Sequence, residues 1–225
     1  MPQANSPLLC YVTDLRALAG APQMAAAEGE RGLLDVIERV AAAGVQWIQI
    51  REKDLPAARL ATLVRAARRQ CPPSARIVVN DRLDVVLSAG ADGIHLGEMS
   101  LPPAGVVALL RERKSPGPGP ESLLVGVSTH SLDAARAAEL AGAAYVFFGP
   151  VFETPSKRIY GAPQGMERLA EVCRRVRIPV LAIGGITAAN ARQCFAVGAA
   201  GIAAIRLFQE SADPSRLVRS LLSEL

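Results

Sequence analysis

The chain has 225 residues, of which 50% are hydrophobic, 20% charged and 4% aromatic. Such an apolar composition excludes an intrinsically disordered chain and predicts a globular fold with a sizeable core. The formal net charge is +4, and the basic residues are spread among acidic ones, so we expect no nucleic-acid partner.

The cysteines and the first residues indicate the cellular compartment. The four cysteines lie far apart, without a C-x-x-C pair or a histidine cluster, so neither a zinc site nor a disulfide framework is expected. The first ten residues lack the basic and apolar segments of a secretion signal, and every apolar run is shorter than the roughly 18 residues of a membrane span. We therefore expect a cytoplasmic protein without a membrane partner.

Short apolar segments alternate with segments of helical periodicity along the chain. Strands are predicted over 8–13, 45–51, 76–80, 93–96, 123–128, 143–149, 179–184 and 201–205. Helices are predicted over 33–43, 56–70, 84–89, 103–113, 132–141, 166–176, 188–197 and 214–225. The strands are continuous apolar runs, which is typical of parallel strands covered on both faces. The pattern predicts an α/β fold, a single (β/α)8 TIM barrel spanning residues 1–225, with its strands and intervening helices in 8–206 and a final helix in 213–225.

Polar residues collect at the carboxyl-terminal ends of the predicted strands, where the active sites of such barrels lie. The alternation of Gln49, Arg51 and Lys53 sends three side chains to one face of the second strand. The other strand ends carry Asn80 and Asp81, His95 and Glu98, Ser128 and His130, Thr154, Ser156 and Lys157, Gly184 and Gly185, and Arg206. Cations facing one cavity predict an anionic ligand, and a carboxylate among them indicates a bridging divalent metal. The glycine pair, ahead of a helix expected to begin at about Thr187, predicts a phosphate-binding loop.

Several of these residues have an alternative interpretation. Arg51 and Lys53 could instead form surface salt bridges with neighbouring carboxylates. His95 stands between two apolar residues, so we interpret it as a core residue or one behind the site rather than as a base. His130 is open between a place beside a helix start and a place in the site.

Six short motifs occur between the second and seventh strands: QIREK at 49–53, VVND at 78–81, ADGIHLG at 91–97, GVSTHS at 126–131, FFGPVFETPSK at 147–157 and AIGGI at 182–186. In these motifs the chain resembles the thiamine phosphate synthase and TenI family of barrels over nearly its whole length. The resemblance implies a transferase that joins hydroxymethylpyrimidine diphosphate to thiazole phosphate, releases pyrophosphate and uses Mg²⁺.

The resemblance also implies a role for each matched residue. Catalysis is expected to depend on Arg51, Lys53, Lys157 and Ser128. The expected substrate ligands are Asn80 for the diphosphate, together with Arg51, Lys53 and Lys157; Gln49 for the pyrimidine, together with Ser128; Thr154 and Ser156 over the diphosphate and thiazole; and Gly184 with Gly185 for the thiazole phosphate. Asp81 is the expected Mg²⁺ ligand.

Two positions depart from the family pattern. The family has Gly-Gln-x-Asp after the fourth strand, with the aspartate as a second metal ligand, whereas this chain has GEMS at 97–100, so Ser100 replaces that carboxylate. We expect Glu98 to supply a displaced carboxylate. After the eighth strand, Arg206 replaces a serine that meets the thiazole phosphate. Arg206 is predicted to hold that phosphate, the alternative being an ion pair with Glu210.

Three functions stay open on this evidence. The leading one is a thiamine phosphate synthase. The second is a TenI-like thiazole tautomerase, which the missing aspartate favours, although Pro150 replaces the histidine expected for tautomerisation. The third is a non-catalytic relative that binds thiamine phosphate. Small molecules are the expected partners in each case, and a homo-oligomer is a possible assembly.

Overall fold

Eight parallel strands close into a barrel in the computed structural model, which describes residues 6–18, 25–112, 123–154 and 162–223. Each strand pairs with the next along the chain, and the first pairs with the last. The strands are β1 Leu8–Val12, β2 Trp47–Ile50, β3 Arg76–Asn80, β4 Gly93–Leu96, β5 Leu124–Thr129, β6 Tyr145–Phe148, β7 Val180–Ile183 and β8 Gly201–Ala204. Because each overlaps a predicted strand, the TIM barrel prediction is confirmed.

Helices surround the barrel because each carries an apolar stripe at helical spacing. In the first helix, Leu33, Val36, Ile37 and Val40 are buried against the strands. The helices are α1 Ala26–Ala42, α2 Ala57–Gln70, α3 Leu83–Ala89, α4 Pro103–Glu112, α5 Leu132–Leu140, α6 Gly165–Arg175, α7 Ala191–Ala196, α8 Arg206–Gln209 and α9 Pro214–Leu222. A short 3-10 helix covers Leu15–Ala17. In the part of the chain described, none of these helices is long and apolar enough to cross a membrane.

The start of α1 differs from the prediction. It begins at Ala26 rather than at residue 33, and two glycines in its early turns pack against the segment after β1. A Cβ atom on Gly29 would lie 3.3 Å from a carbon of Leu15, and one on Gly32 would lie 3.2 Å from a carbon of Leu18. This contact is tertiary, so the apolar pattern of the helix did not indicate it.

Two further differences lie near the carboxyl-terminal end of the chain. The prediction that α7 begins at about Thr187 is wrong, since it begins at Ala191. The Asn190 side chain accepts a hydrogen bond from the Thr187 N–H (2.8 Å), and the Thr187 hydroxyl accepts one from the Asn190 N–H (3.3 Å), which holds 187–190 in a turn. The helix α8 was not predicted, and it buries Phe208 and Gln209.

The strands alternate between the barrel interior and the helical layer. The outward side chains pack under the helices in the larger core cluster. The inward side chains form a smaller cluster of buried residues, namely Cys10, Val12, Tyr145, Phe147, Leu181 and Ala203. Polar side chains lie above this cluster at the carboxyl-terminal mouth of the barrel, which is where the strands β2 to β5 present their last inward residues.

Candidate active site

Three predicted site residues form a hydrogen-bonded chain across the mouth of the barrel. Gln49 on β2 is 2% exposed, and its Nε2 donates to Oδ1 of Asn80 at the end of β3 (3.3 Å). Nδ2 of Asn80 in turn donates to Oδ2 of Asp81 (2.7 Å). The parallel register places Gln49 opposite Val78, so both strands deliver their polar ends to the same place. The structure therefore brings Gln49, Asn80 and Asp81 together. The sequence predicted that these residues collect at the carboxyl-terminal ends of the strands.

Asp81 has a left-handed backbone conformation, with φ of 60°. This region is uncommon for residues other than glycine, and residues held in it cluster at functional sites. The Asp81 N–H donates to the His95 carbonyl (2.9 Å), which fixes the residue against β4. Its Oδ1 accepts hydrogen bonds from the Gly97 N–H (3.3 Å) and from the Ser100 hydroxyl. Ser100, which stands where the family has a second aspartate, thus contacts the carboxylate that is present.

A cavity of about 210 Å³ lies beside the hydrogen-bonded side chains of Asn80 and Asp81. It is lined by Glu52, Lys53, Asn80, Asp81 and Arg82. Arg82 forms a two-pronged ion pair with Asp84, with Nε–Oδ1 and Nη2–Oδ2 distances of 2.9 and 2.6 Å. The Arg82 guanidinium is thus engaged by a neighbouring carboxylate, and Lys53 is the second cation of this lining. An anion that enters here meets Lys53 and the Asn80 amide.

Thr13 and Glu52 form a buried pair behind Arg51 that the sequence analysis missed. Thr13 is 0% exposed and Glu52 is 8% exposed. The Thr13 hydroxyl donates to Oε1 of Glu52 and accepts a hydrogen bond from the Arg51 N–H (3.0 Å), and the Leu15 N–H donates to Oε2 of Glu52 (2.9 Å). Burial raises the pKa of Glu52, and the hydrogen bonds from Thr13 and Leu15 oppose that rise. The pair fixes the backbone that presents Arg51 and Lys53.

His95 lies inside the barrel, as interpreted from its apolar neighbours, and is 1% exposed. Its Nε2 is 2.9 Å from Oγ of Ser128, and its Nδ1 is 3.1 Å from the hydroxyl oxygen of Tyr145. Burial lowers the pKa of His95 to about 3; the Asp81 charge acts in the opposite direction and the Arg51 charge in the same direction. The imidazole is thus neutral at physiological pH. Ser128 is half-buried at the mouth, directly above it.

The two glycines after β7 have left-handed backbones, with φ of 95° at Gly184 and 67° at Gly185. A Cβ atom on Gly184 would lie 2.5 Å from Cβ of Pro150, and one on Gly185 would lie 2.5 Å from the Glu153 carbonyl oxygen. Both positions therefore require glycine for packing against the loop after β6, whatever they bind. Their predicted contact with a phosphate stays a prediction.

Arg206, Glu98 and His130 lie at the rim. The Arg206 side chain is 59% exposed, and its Nε is 3.9 Å from Oε1 of Glu210, as in the alternative interpretation. The Glu98 side chain is 77% exposed, and its Oε2 is 3.9 Å from Nε2 of His130. Nδ1 of His130 is hydrogen-bonded to the Gly149 carbonyl. The structure thus brings Ser100 rather than Glu98 to Asp81, and the roles predicted for Glu98 and Arg206 stay predictions.

The loop after β6 is described only in part. Thr154 is half-buried within the described ranges. Ser156 and Lys157, which the sequence analysis assigned to the diphosphate, lie outside the described residues. Their roles stay predictions.

Comparison with known proteins identifies the relatives of this chain. The family profile described as thiamine monophosphate synthase (TMP-TENI) matches residues 22–208. A Geobacter sulfurreducens protein that is provisionally named thiamine-phosphate synthase is 46% identical over 198 residues, covering 88% of this chain and 89% of its own. The thiamine-phosphate synthase of Roseiflexus sp. is 40% identical over 200 residues, covering 87% and 79%. Among solved structures, the thiamine phosphate pyrophosphorylase of Pyrococcus furiosus matches with a TM-score of 0.78 at 28% identity, covering 96% of this chain and 94% of that one.

The fold and the site together define an α/β barrel with a cavity lined by charged and polar side chains at its carboxyl-terminal mouth. Within that class, the match over 22–208 and the relatives at 40 and 46% identity settle the affiliation. The chain belongs to the thiamine monophosphate synthase family.

Proposed function

We propose that this chain is a thiamine-phosphate synthase. It couples 4-amino-2-methyl-5-hydroxymethylpyrimidine diphosphate to thiazole phosphate and releases pyrophosphate. The observation that carries this proposal is the cavity of about 210 Å³, whose lining brings Lys53 and Asn80 together with Asp81 in a member of this family. A cation, an amide donor and a carboxylate at one place suit a diphosphate that is bound together with a metal ion.

The substrates would be divided among the strand ends. The diphosphate would contact Arg51, Lys53, Asn80 and Lys157, and the pyrimidine would contact Gln49 and Ser128. Thr154 and Ser156 would cover the diphosphate and thiazole, and the thiazole phosphate would lie at Gly184, Gly185 and Arg206. This division is supported by the hydrogen-bonded chain from Gln49 to Asp81, which connects the pyrimidine end to the diphosphate end.

The donor set at Asp81 fits Mg²⁺. This cation takes oxygen ligands, keeps several waters, and needs only one or two carboxylates when substrate phosphates supply the rest. In the described part of the chain, Asp81 belongs to no group of three or more His, Cys, Asp or Glu residues. Asp81, with the Ser100 hydroxyl beside it and Glu98 at the rim, would hold the ion. When bound, Mg²⁺ would neutralise charge on the diphosphate oxygens.

The protein residues would act mainly on the leaving group. Breaking the bond between the pyrimidine methylene carbon and the diphosphate oxygen leaves positive charge on the pyrimidine and an additional negative charge on pyrophosphate. Lys53 and Arg51 stabilise that negative charge with groups already in place, which is usually the largest electrostatic contribution of such a site. The buried Thr13–Glu52 pair keeps the Arg51 backbone fixed while the charge develops. The thiazole nitrogen then forms the new bond to the methylene carbon.

The proposal is tested by incubating the protein with both substrates and Mg²⁺ and measuring thiamine phosphate and pyrophosphate by liquid chromatography and mass spectrometry. Equal amounts of the two products are expected. Lys53→Ala should lower the rate strongly. Arg59→Ala, which removes an exposed arginine paired with Glu30 on the helical layer, is the matched control and should not.

The remaining functions give different results in the same assay. A thiazole tautomerase would isomerise its substrate without releasing pyrophosphate. A non-catalytic relative would bind thiamine phosphate and form neither product. Either result, with folded protein, would refute the proposed synthase activity.

A further inference from the structure

A second hydrogen-bonded chain runs through the barrel interior, in addition to the one that ends at Asp81. It joins Tyr145 on β6, His95 on β4 and Ser128 on β5. The Tyr145 hydroxyl oxygen is 3.1 Å from Nδ1 of His95, and Nε2 of His95 is 2.9 Å from Oγ of Ser128. Tyr145 and His95 are each 1% exposed, whereas Ser128 is half-buried at the mouth. These two hydrogen bonds therefore connect the closed interior of the barrel to the place where a ligand would bind.

The Tyr145 ring is held in one position. It covers Gly126 on β5, where a Cβ atom would lie only 2.0 Å from Cζ of the ring and 2.4 Å from its hydroxyl oxygen. On the other side, Trp47 packs edge-on against the ring with centroids 4.6 Å apart. The imidazole of His95 lies against Phe147 at a centroid distance of 4.2 Å. These contacts hold the two rings with their polar atoms facing each other.

The number of hydrogen atoms that Tyr145 and His95 carry determines which group donates in each of these hydrogen bonds. Neither ring nitrogen of His95 faces a carboxylate, and the ring is buried, so it is neutral and carries a single N–H. The Tyr145 hydroxyl has one hydrogen, and His95 is its hydrogen-bond partner among the described residues. If Nδ1 carried the imidazole hydrogen, it would donate to the Tyr145 oxygen, and the buried hydrogen of the Tyr145 hydroxyl would have no acceptor among the described residues.

The other tautomer satisfies every group. The Tyr145 hydroxyl donates to Nδ1, and the Nε2–H of His95 donates to Oγ of Ser128. The hydrogen of the Ser128 hydroxyl is then free to point into the mouth. A serine whose oxygen already accepts from the interior presents a donor to whatever lies above it.

We propose that Tyr145 and His95 are positioning residues that hold the Ser128 hydroxyl as a hydrogen-bond donor toward the ligand, with a ring nitrogen of the pyrimidine as its acceptor. The assignment of the ligand atom rests on the proposed function. The direction of the hydrogen bonds rests on the interior geometry alone. Two measurements separate these parts.

The first measurement determines the tautomer without any substrate. Nitrogen-15 NMR of protein labelled in its imidazole rings shows which nitrogen carries a hydrogen, through the one-bond coupling between them. The chain has two histidines, so His130→Gln removes the only other imidazole signal and assigns the remaining one to His95. A hydrogen on Nε2 is expected. A hydrogen on Nδ1 would overturn the proposal, whether or not the protein turns out to be a synthase.

The second measurement tests the acceptor by calorimetry. The pyrimidine diphosphate is compared with two analogues, each with C–H in place of one ring nitrogen. One analogue should bind about threefold to tenfold more weakly to the parent protein, which corresponds to one lost hydrogen bond. Ser128→Ala should bind that analogue and the natural compound equally. Equal binding of all three ligands to the parent protein would overturn the assignment.

Two further arms distinguish positioning from other effects. Tyr145→Phe keeps the ring over Gly126 and removes only the hydroxyl, so the fold should be retained. The ratio of the affinity for the natural compound to the affinity for the weaker analogue should fall toward one in this variant. An unchanged ratio in this variant would contradict a positioning role. Inorganic pyrophosphate should bind equally to the parent and to Ser128→Ala; weaker binding to Ser128→Ala would instead make a diphosphate oxygen the acceptor and overturn the choice of a ring nitrogen.

Discussion

Replacing Thr13 by valine tests how strongly the buried pair behind Arg51 stabilises the barrel. Valine has the same shape as threonine but lacks the hydroxyl. The variant loses the hydrogen bond to the Glu52 carboxylate and the one from the Arg51 N–H, at a position that is 0% exposed. A hydrogen bond to a charged group contributes about 1.5–3 kcal/mol, and a buried N–H left without an acceptor costs about 1–3 kcal/mol. We therefore expect Thr13→Val to lower the free energy of unfolding by about 3–5 kcal/mol.

Urea denaturation followed by circular dichroism and by Trp47 fluorescence measures this change, provided that the two signals coincide. Thr13→Ser is the control, because it keeps both hydrogen bonds and removes one methyl group, which is worth about 1 kcal/mol. If Thr13→Val lay within 1 kcal/mol of the parent protein, the buried pair would have little influence on stability and the reasoning would be refuted.

The raised pKa of Glu52 adds a pH dependence of known sign. A carboxyl group whose pKa rises on folding binds its proton more tightly in the folded chain. Its contribution to stability is present below the unfolded pKa and is lost as the pH rises through the folded pKa. Glu52→Gln removes this titration. The free energy of unfolding of the parent, relative to this variant, should therefore fall as the pH rises above the ordinary pKa of a glutamate; a rise instead would contradict the burial of the carboxylate.

The remaining predictions concern turnover. Arg51→Ala and Lys157→Ala should each lower the rate by on the order of 10²-fold at saturating substrate while the fold is kept, because each would remove a cation that we propose to contact the leaving diphosphate; near-normal turnover would show that the side chain is wrongly assigned. Ser100→Asp should lower the Mg²⁺ concentration that gives half-maximal rate, and it should raise Mg²⁺ affinity in calorimetry without substrate, since it adds a second carboxylate. Arg206→Ser should raise KM for thiazole phosphate and leave KM for the pyrimidine diphosphate nearly unchanged, because an exposed ion pair at 3.9 Å leaves the guanidinium available to a phosphate. Glu210→Gln is its control, and equal KM values in Arg206→Ser and the parent would assign Arg206 to the ion pair alone.

The sequence predicted the strands well because parallel strands covered on both faces are continuous apolar runs that end in polar residues. It also placed Gln49, Asn80 and Asp81 at one end of the barrel, since the strand ends of a parallel barrel meet there. The resemblance to the family predicted the roles of single residues, which strand periodicity does not indicate. What the pattern predicted reliably is thus the order of elements and the face on which their polar ends lie.

Contacts between distant segments were the part that the sequence did not indicate. Alternation continued past the end of β2 sends Glu52 away from the face of Arg51, but the contact of its carboxylate with Thr13 depends on where the chain turns after β1. The four residues of α8 are too few to show a helical period, and the two that are buried, Phe208 and Gln209, contact Tyr11 on β1. The predicted start of α7 at about Thr187 was wrong because side-chain hydrogen bonds within 187–190 compete with the helix.

The first strand of the barrel gains some of its partners only after the last part of the barrel has been synthesised. The Tyr11 hydroxyl on β1 donates to Oε1 of Gln209 on α8 (2.7 Å), across 198 residues of sequence. The same Gln209 side chain also accepts from the Asp14 N–H (3.2 Å) and donates to the Asp14 carbonyl (2.9 Å). During synthesis from the amino terminus, the loop after β1 therefore waits for almost the entire polypeptide before it acquires these partners. A chain interrupted before β8 would leave the edges of β1 and β7 without their partner strand and the Tyr11 hydroxyl without this acceptor, so nascent chains at that stage are the ones that need protection from aggregation.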